Sequence, residues 1–211
     1  MAEKRPRKAR SGLRKRTYHH GDLERALVDT AVQMIQQEGI QALTLRGVGA
    51  RLGVSRTALY RHFDDKQALL TRVASEGFKT FHDALAAAAA KAEARRADPM
   101  PAMAAAYARF ARTYPSHYQT MFSGALMSGR PDPELQRCGE AAFTVLLNAI
   151  RRGQEHGRIR AGNPLELAEV TWALSHGLAT LGMANQLPST PSALEDLAVR
   201  GWTVLYEGMK R

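Results

Sequence analysis

From Gly21 onward, apolar residues return every three or four positions and nowhere sustain the alternation of a strand. That period confines the chain to an all-α fold. The first repeat is Leu23, Ala26, Leu27, Thr30, Ala31, Met34 and Ile35, with Asp22 placed to cap the helix and Gly39 to end it in a left-handed turn. Thr44 can cap a second, short helix that turns Leu45, Val48 and Leu52 inward, and Gly53 stops it. Ser55 caps a third, from Arg56 to about His62, with Leu59 and Phe63 as core positions and Arg56, Thr57, Tyr60 and Arg61 facing outward. Asp64 or Asp65 caps a fourth, from Lys66 to about Arg96, alanine-rich in its later part and long enough to join two domains.

The second and third helices meet at the tight turn Gly53-Val54-Ser55, and the third carries long hydrogen-bond donors. This is the spacing of a helix-turn-helix whose second member enters a major groove. Charge points the same way. The chain holds 30 Lys and Arg against 20 Asp and Glu, a net +10. In residues 1–16, Lys4, Arg5, Arg7, Lys8, Arg10, Arg14, Lys15 and Arg16 face Glu3 alone and supply +7 of that total. With so little apolar content around Leu13, this stretch is expected to be a flexible basic arm drawn to polyanions. A solubilising leader is the plainer alternative.

Several classes are excluded. No run approaches the roughly 20 apolar residues of a membrane span, and the N-terminus lacks the apolar stretch of a secretory signal, so a cytoplasmic chain with no membrane partner is expected. Cys138 is the only cysteine, which rules out an intrachain disulfide and a cysteine-based zinc finger. The seven histidines are scattered, and adjacent His19 and His20 define no metal site. There is no P-loop, nucleophile elbow, His-Glu-x-x-His or Gly-rich dinucleotide turn. An enzyme, a cofactor and a metal are therefore not expected.

The stretches Tyr18-His19-His20-Gly21-Asp22-Leu23, Thr44 to Ser55, and Ala58-Leu59-Tyr60-Arg61-His62-Phe63 followed by Lys66 resemble the N-terminal domain of TetR/AcrR-type transcriptional regulators. The resemblance covers residues 18 to 66 nearly without a gap. Farther on, Trp172-Ala173-Leu174-Ser175-His176-Gly177 is similar to the subgroup whose C-terminal domain is named for Trp, His and Gly. It implies a basic arm over 1–17, a three-helix DNA-binding domain over 18–66, and a helical ligand-binding and dimerisation domain over 67–211. The implied function is that of a ligand-responsive repressor, binding a palindromic double-stranded DNA operator as a homodimer and released by a small apolar or aromatic effector. The alternative is a DNA-coating protein indifferent to sequence, which would protect DNA uniformly in footprinting.

Reach and chemistry assign the DNA contacts, and the resemblance supports the same positions. Thr44, Tyr60, His62 and Lys66 suit phosphates, and Ser55 joins this DNA-facing set besides capping its helix. Arg56 is the foremost base reader, because arginine can grip O6 and N7 of guanine together; Arg46 is second. Thr57 and Ala58 can meet a thymine methyl, and Arg61 a base or a phosphate. For Tyr60 and His62 the alternative is packing in the small core. Arm residues Arg5, Arg7, Lys8, Arg10, Arg14, Lys15 and Arg16 could enter a flanking minor groove or line phosphates.

Residues 100 to 211 read as about five helices, broken by Pro115, by Gly129-Arg130-Pro131, by Gly157 to Pro164 and by Pro188 to Pro191. The middle helices carry Met103, Tyr107, Phe110, Tyr114, Tyr118, Met121, Phe122, Phe143, Leu147 and Ile150, which suit either a plain core or the lining of an apolar cavity. The resemblance implies the cavity. Trp172 and His176 share a helix face and either hold one ligand together or pack on each other. The last two helices, Leu165 to about Asn185 and Ser192 to about Met209, show stripes through Leu167, Val170, Thr171, Leu174, Leu178 and Leu181, and through Leu194, Leu197, Ala198, Gly201, Leu205 and Met209. The resemblance makes these a four-helix dimer interface in which Gly177, Gly182 and Gly201 permit close approach. Burial within the chain is the alternative.

Overall fold

A computed structural model describes residues 20–127, 132–187 and 190–209, and among these the backbone forms ten helices and no strand. They are α1 (His20–Glu38), α2 (Leu45–Leu52), α3 (Arg56–Tyr60), α4 (Lys66–Ala94), α5 (Pro99–Thr113), α6 (Pro115–Met121), α7 (Gly124–Met127), α8 (Pro133–Glu155), α9 (Pro164–Met183) and α10 (Pro191–Met209). The basic arm lies outside the described residues.

Local chemistry sets most of the boundaries. The Thr44 hydroxyl accepts the Gly47 N–H at 3.0 Å, the Ser55 hydroxyl that of Ala58 at 3.2 Å, and the Asp65 carboxylate that of Ala68 at 2.7 Å. Each satisfies a donor that the first helical turn leaves free. Gly39 and Gly53 hold φ of 83° and 70°, the left-handed geometry that ends α1 and α2. Two expectations need correction. The first helix begins at His20, so Asp22 lies inside its first turn and is not its cap. The third ends at Tyr60, because the His62 and Phe63 N–H groups both turn back onto the Leu59 carbonyl.

The C-terminal half has six helices where about five are expected, and its prolines open helices: Pro99, Pro115, Pro133 and Pro164 each occupy a first turn. Proline lacks an N–H where none is needed, and Asp98, Asp132 and Asn163 cap the turns that follow.

Two cores form. The smaller gathers Leu27, Val28, Ile35, Leu45, Val48, Leu59 and Phe63 with Leu69, Leu70 and Val73 of α4. The larger takes Ala74, Phe81 and Leu85 of the same helix with residues of α5, α6, α8, α9 and α10. The boundary between the two cores therefore falls inside α4, after Val73. Arg72 ties α4 to α1 through Glu24 at 3.0 Å. The short α6 packs on both α4 and α1. It crosses α4 at Gly77, where an added Cβ would stand 2.7 Å from the Met121 sulfur and 3.1 Å from the His117 Cβ.

The Asp65 cap starts the helix on which both cores rest. Asp65→Ala is expected to cost about 1 kcal/mol, and Asp65→Asn only a few tenths, since asparagine caps nearly as well. Thermal unfolding should show the alanine variant melting roughly 2–4 °C lower. Alanine and asparagine variants with the same midpoint would deny the cap its role.

Candidate nucleic-acid interface and an aromatic cavity

Leu59 is sealed into the small core and fixes the rotation of α3, so that Arg56, Thr57, Tyr60 and Arg61 stand exposed on the opposite side. Thr44, Arg46 and Ser55 are exposed beside them, while Ala58, His62 and Lys66 are half-buried. The Arg56 guanidinium lies 5.4 Å from the centre of the Tyr60 ring one turn along, a cation–π contact that holds both in register. The oxygens of Thr44 and Ser55 are taken by their caps, but both hydroxyl protons remain to be donated to an anion. Lys66 leans back, its ammonium donating to the Gln41 carbonyl at 3.3 Å. Arg51, on the other side of α2, pairs with Glu38 at 2.6 Å and Gln37 at 3.0 Å, which fastens α2 to α1. The seven arm cations fall outside the described residues.

In the larger core, α4, α5, α6, α8, α9 and α10 enclose a cavity of about 450 Å³. Seven rings form its wall: Phe78, Phe81, Tyr107, Phe122, Phe143, Trp172 and Trp202. Leu85, Met100, Met103, Ala104, Met121, Leu146 and Ala198 fill between them. Of the twelve residues named as candidates for a cavity lining, Met103, Tyr107, Met121, Phe122, Phe143 and Trp172 line it, while Tyr118 and Ile150 are buried outside it. Phe110 is buried behind the wall between Phe81 and Tyr114. Tyr114 is exposed at the end of α5, Leu147 packs against the core without reaching the cavity, and His176 stands one layer back. Thr171 and Leu174, expected at a subunit seam, line the cavity. The α4 contribution was concealed by treating that helix as a linker. Its signal was the recurrence of Phe78, Phe81 and Leu85 on one face.

Behind the wall, Tyr118 lies 2.8 Å from Nδ1 of His176, and Tyr107 lies 3.3 Å from the same nitrogen and 3.4 Å from the Tyr118 oxygen. The imidazole stacks on Tyr118 and meets the Phe122 edge at 4.6 Å. Burial holds the His176 pKa below the ordinary histidine value. Burial also pushes both phenols up and lowers His117 on α6. Trp172 and His176 thus share a helix face but divide their roles, the one facing the cavity and the other bonding behind it.

The outer surface of α9 and α10 differs from the expected stripe. Leu167, Thr171 and Leu194 are buried inside the chain, Leu174, Leu178, Leu197 and Leu205 are half-buried, and Leu181 is exposed. Gly182 and Gly201 accommodate Leu194 and Leu178 where α9 and α10 pack together within the chain. Only Gly177 of the three glycines has open space at its Cβ position. Ala198 and Met209 are buried as well, while Val170 of the expected stripe is exposed, as is Val204 at 74%.

Residues 27–73 match the model of bacterial regulatory proteins of the tetR family, and residues 100–205, half of the chain, match the tetracyclin repressor-like C-terminal domain. The chain is similar to the tetracycline repressor protein class C of Escherichia coli, 43% identical over 49 residues, which make up 23% of this chain and 22% of that protein. It spans about a quarter of the length of the tetracycline repressors it matches. Among solved structures, a protein of unknown function from Rhodococcus sp. RHA1 superposes with a TM-score of 0.78 at 29% identity, over 93% of this chain and 100% of that one. The TetR family transcriptional regulator PfmR from Thermus thermophilus shares the fold at 19% identity, with a TM-score of 0.63 over 88% and 99% of the two chains.

Because burial lowers the pKa of His176 and of His117, the unfolded chain binds protons at the ordinary histidine pKa of about 6.5 more readily than the folded chain does. Stability should fall as pH drops through that value toward the lower folded pKa. Between pH 7.5 and 5.5 the melting temperature should drop further in the wild type than in a His117→Gln/His176→Gln double variant. Equal losses would exclude these two groups as the cause.

Proposed function

The chain belongs to the TetR family of bacterial regulatory proteins, and from that premise we propose that it binds a palindromic operator as a homodimer and is released by a small apolar or aromatic effector. It is a DNA-binding transcriptional regulator, of a family that is not enzymatic. The operator reading rests on Arg56, Thr57, Tyr60 and Arg61, held outward by the burial of Leu59 on the other side of the same helix. Arg56 grips a guanine, with Arg46 and Arg61 as neighbouring donors, while Thr44, Ser55, Tyr60, His62 and Lys66 follow the phosphates. The arm adds sequence-independent attraction.

One short recognition helix reads too few base pairs, so two-fold pairing is needed to read a palindrome. The outer faces of α9 and α10 supply the surface: of the seven large exposed hydrophobics among the described residues, Leu165, Val170, Leu181 and Val204 lie there. The open space at Gly177 lets a second copy approach closely. The likeness of Trp172 to Gly177 to the Trp-His-Gly subgroup fits this reading, with one member at the cavity, one behind it and one at the outer surface.

The effector acts through α4 and α6. Phe78, Phe81, Met121 and Phe122 are cavity walls, and the same two helices touch the DNA-binding core. A ligand that displaces these walls tilts α4 and changes the spacing of the two reading heads. By linkage it weakens operator binding by the factor with which operator weakens its own binding.

Selection of bound sequences from a random DNA pool should return a palindrome with the wild type. Arg56→Ala should lose about 1–3 kcal/mol of discrimination at one symmetric pair of positions. An unaltered motif would move base reading to Arg46 or Arg61, and a wild type that selects no motif would favour the coating protein. Sedimentation at micromolar concentration should give twice the 23.2 kDa chain mass, and the chain mass alone for a Val170→Asp/Val204→Asp variant. A wild-type monomer would overturn the dimer.

A further inference from the structure

We propose that the effector is a hydrophobic cation, with its apolar body among the rings and its positive charge at the rim between Glu140 and Glu169. This rests on the reading of the cavity as the effector site. Those two carboxylates are the only Asp or Glu residues in the wall, and no Lys, Arg or His lines it among the described residues. Both are exposed, and neither carboxylate takes part in an ion pair or a hydrogen bond. Glu24, Glu38, Glu76, Glu93, Glu134 and Glu195 each hold an Arg or Lys partner, whereas Glu140 and Glu169, like Glu155 and Glu166 elsewhere on the surface, hold none; of these four only the first two line the cavity.

Their placement gives the cation a geometry. Glu140 stands three residues before Phe143 on α8, and Glu169 three residues before Trp172 on α9, so each carboxylate shares a helix face with a ring. The two rings meet across the helices, with centroids 6.1 Å apart and planes at 75°. A positive charge at this junction finds two π surfaces and two carboxylates, both attractive. A buried anion would find no donor cation in the wall and would pass two like charges on entry. A neutral ligand would use the rings and leave the glutamates without purpose.

Tetraphenylphosphonium and tetraphenylborate have the same shape and opposite charge, which isolates the sign. Trp172 and Trp202 are the only tryptophans, both line the cavity and Trp202 is buried, so saturable quenching of intrinsic fluorescence follows occupancy there. In the full chain the phosphonium should bind saturably and at least about tenfold more tightly than the borate, and Glu140→Gln/Glu169→Gln should weaken it about tenfold. Unchanged melting and operator binding in that variant establish that it folds. No saturable phosphonium binding, equal or tighter borate binding, or wild-type phosphonium affinity in the folded variant would overturn the cation. If a neutral or anionic compound occupies the cavity and releases DNA, the effector reading survives and the cation falls. If the phosphonium binds as expected but leaves the operator bound, the cation site stands and the release mechanism fails.

Discussion

A single continuous helix belongs to two hydrophobic cores at once, and the remaining structure is arranged around that fact. Leu69, Leu70 and Val73 hold the first turns of α4 in the DNA-reading domain, and Ala74, Phe81 and Leu85 hold the next turns in the larger domain. There is no hinge between them: Val73 and Ala74 are adjacent and both wholly buried. A close-packed interior does not stretch, so a shift of the helix at the cavity must be carried to the reading head. The Gly77 crossing makes this stricter, because α6 lies so close to α4 there that the two helices cannot move independently.

The larger domain combines apolar space with fixed polar anchoring. Its rings and methionines enclose the cavity, and the hydroxyls of Tyr107 and Tyr118 bond behind the wall with each other and with His176. That bonding keeps buried polar atoms from competing for whatever enters. Shape and rim charge are left to discriminate among ligands, and the wall can remain apolar.

The helix-turn-helix was legible almost to the residue. Its signals are local: Thr44, Ser55 and Asp65 are caps whose chemistry acts within three residues, and Gly53 takes a conformation few other residues tolerate. The larger domain was legible in its helices but not in its partners. A stripe such as Leu167, Thr171 and Leu174 states that one face is apolar, not whether a cavity, a neighbouring helix or a second chain covers it. Here Thr171 and Leu174 face the cavity, Leu167 the core, and Val170 solvent. Trp202 escaped notice for the same reason, since only tertiary packing brings α10 to the cavity beside α5. Pro115 and Pro164 marked boundaries, and the Asp or Asn before Pro99, Pro133 and Pro164 explains why these prolines open the next helix.

The Glu195 carboxylate of α10 is gripped by Arg109 and Arg112 of α5. Helix α5 supplies Met103 and Tyr107 to the ring-lined chamber, and α10 supplies Trp202 to it while turning Val204 to the outside. The strut therefore joins a chamber wall to the surface where copies of the chain would meet. In such an assembly, filling the chamber and pairing of protomers become one shared equilibrium, and the sensitivity of the regulator would vary with how much of it is present.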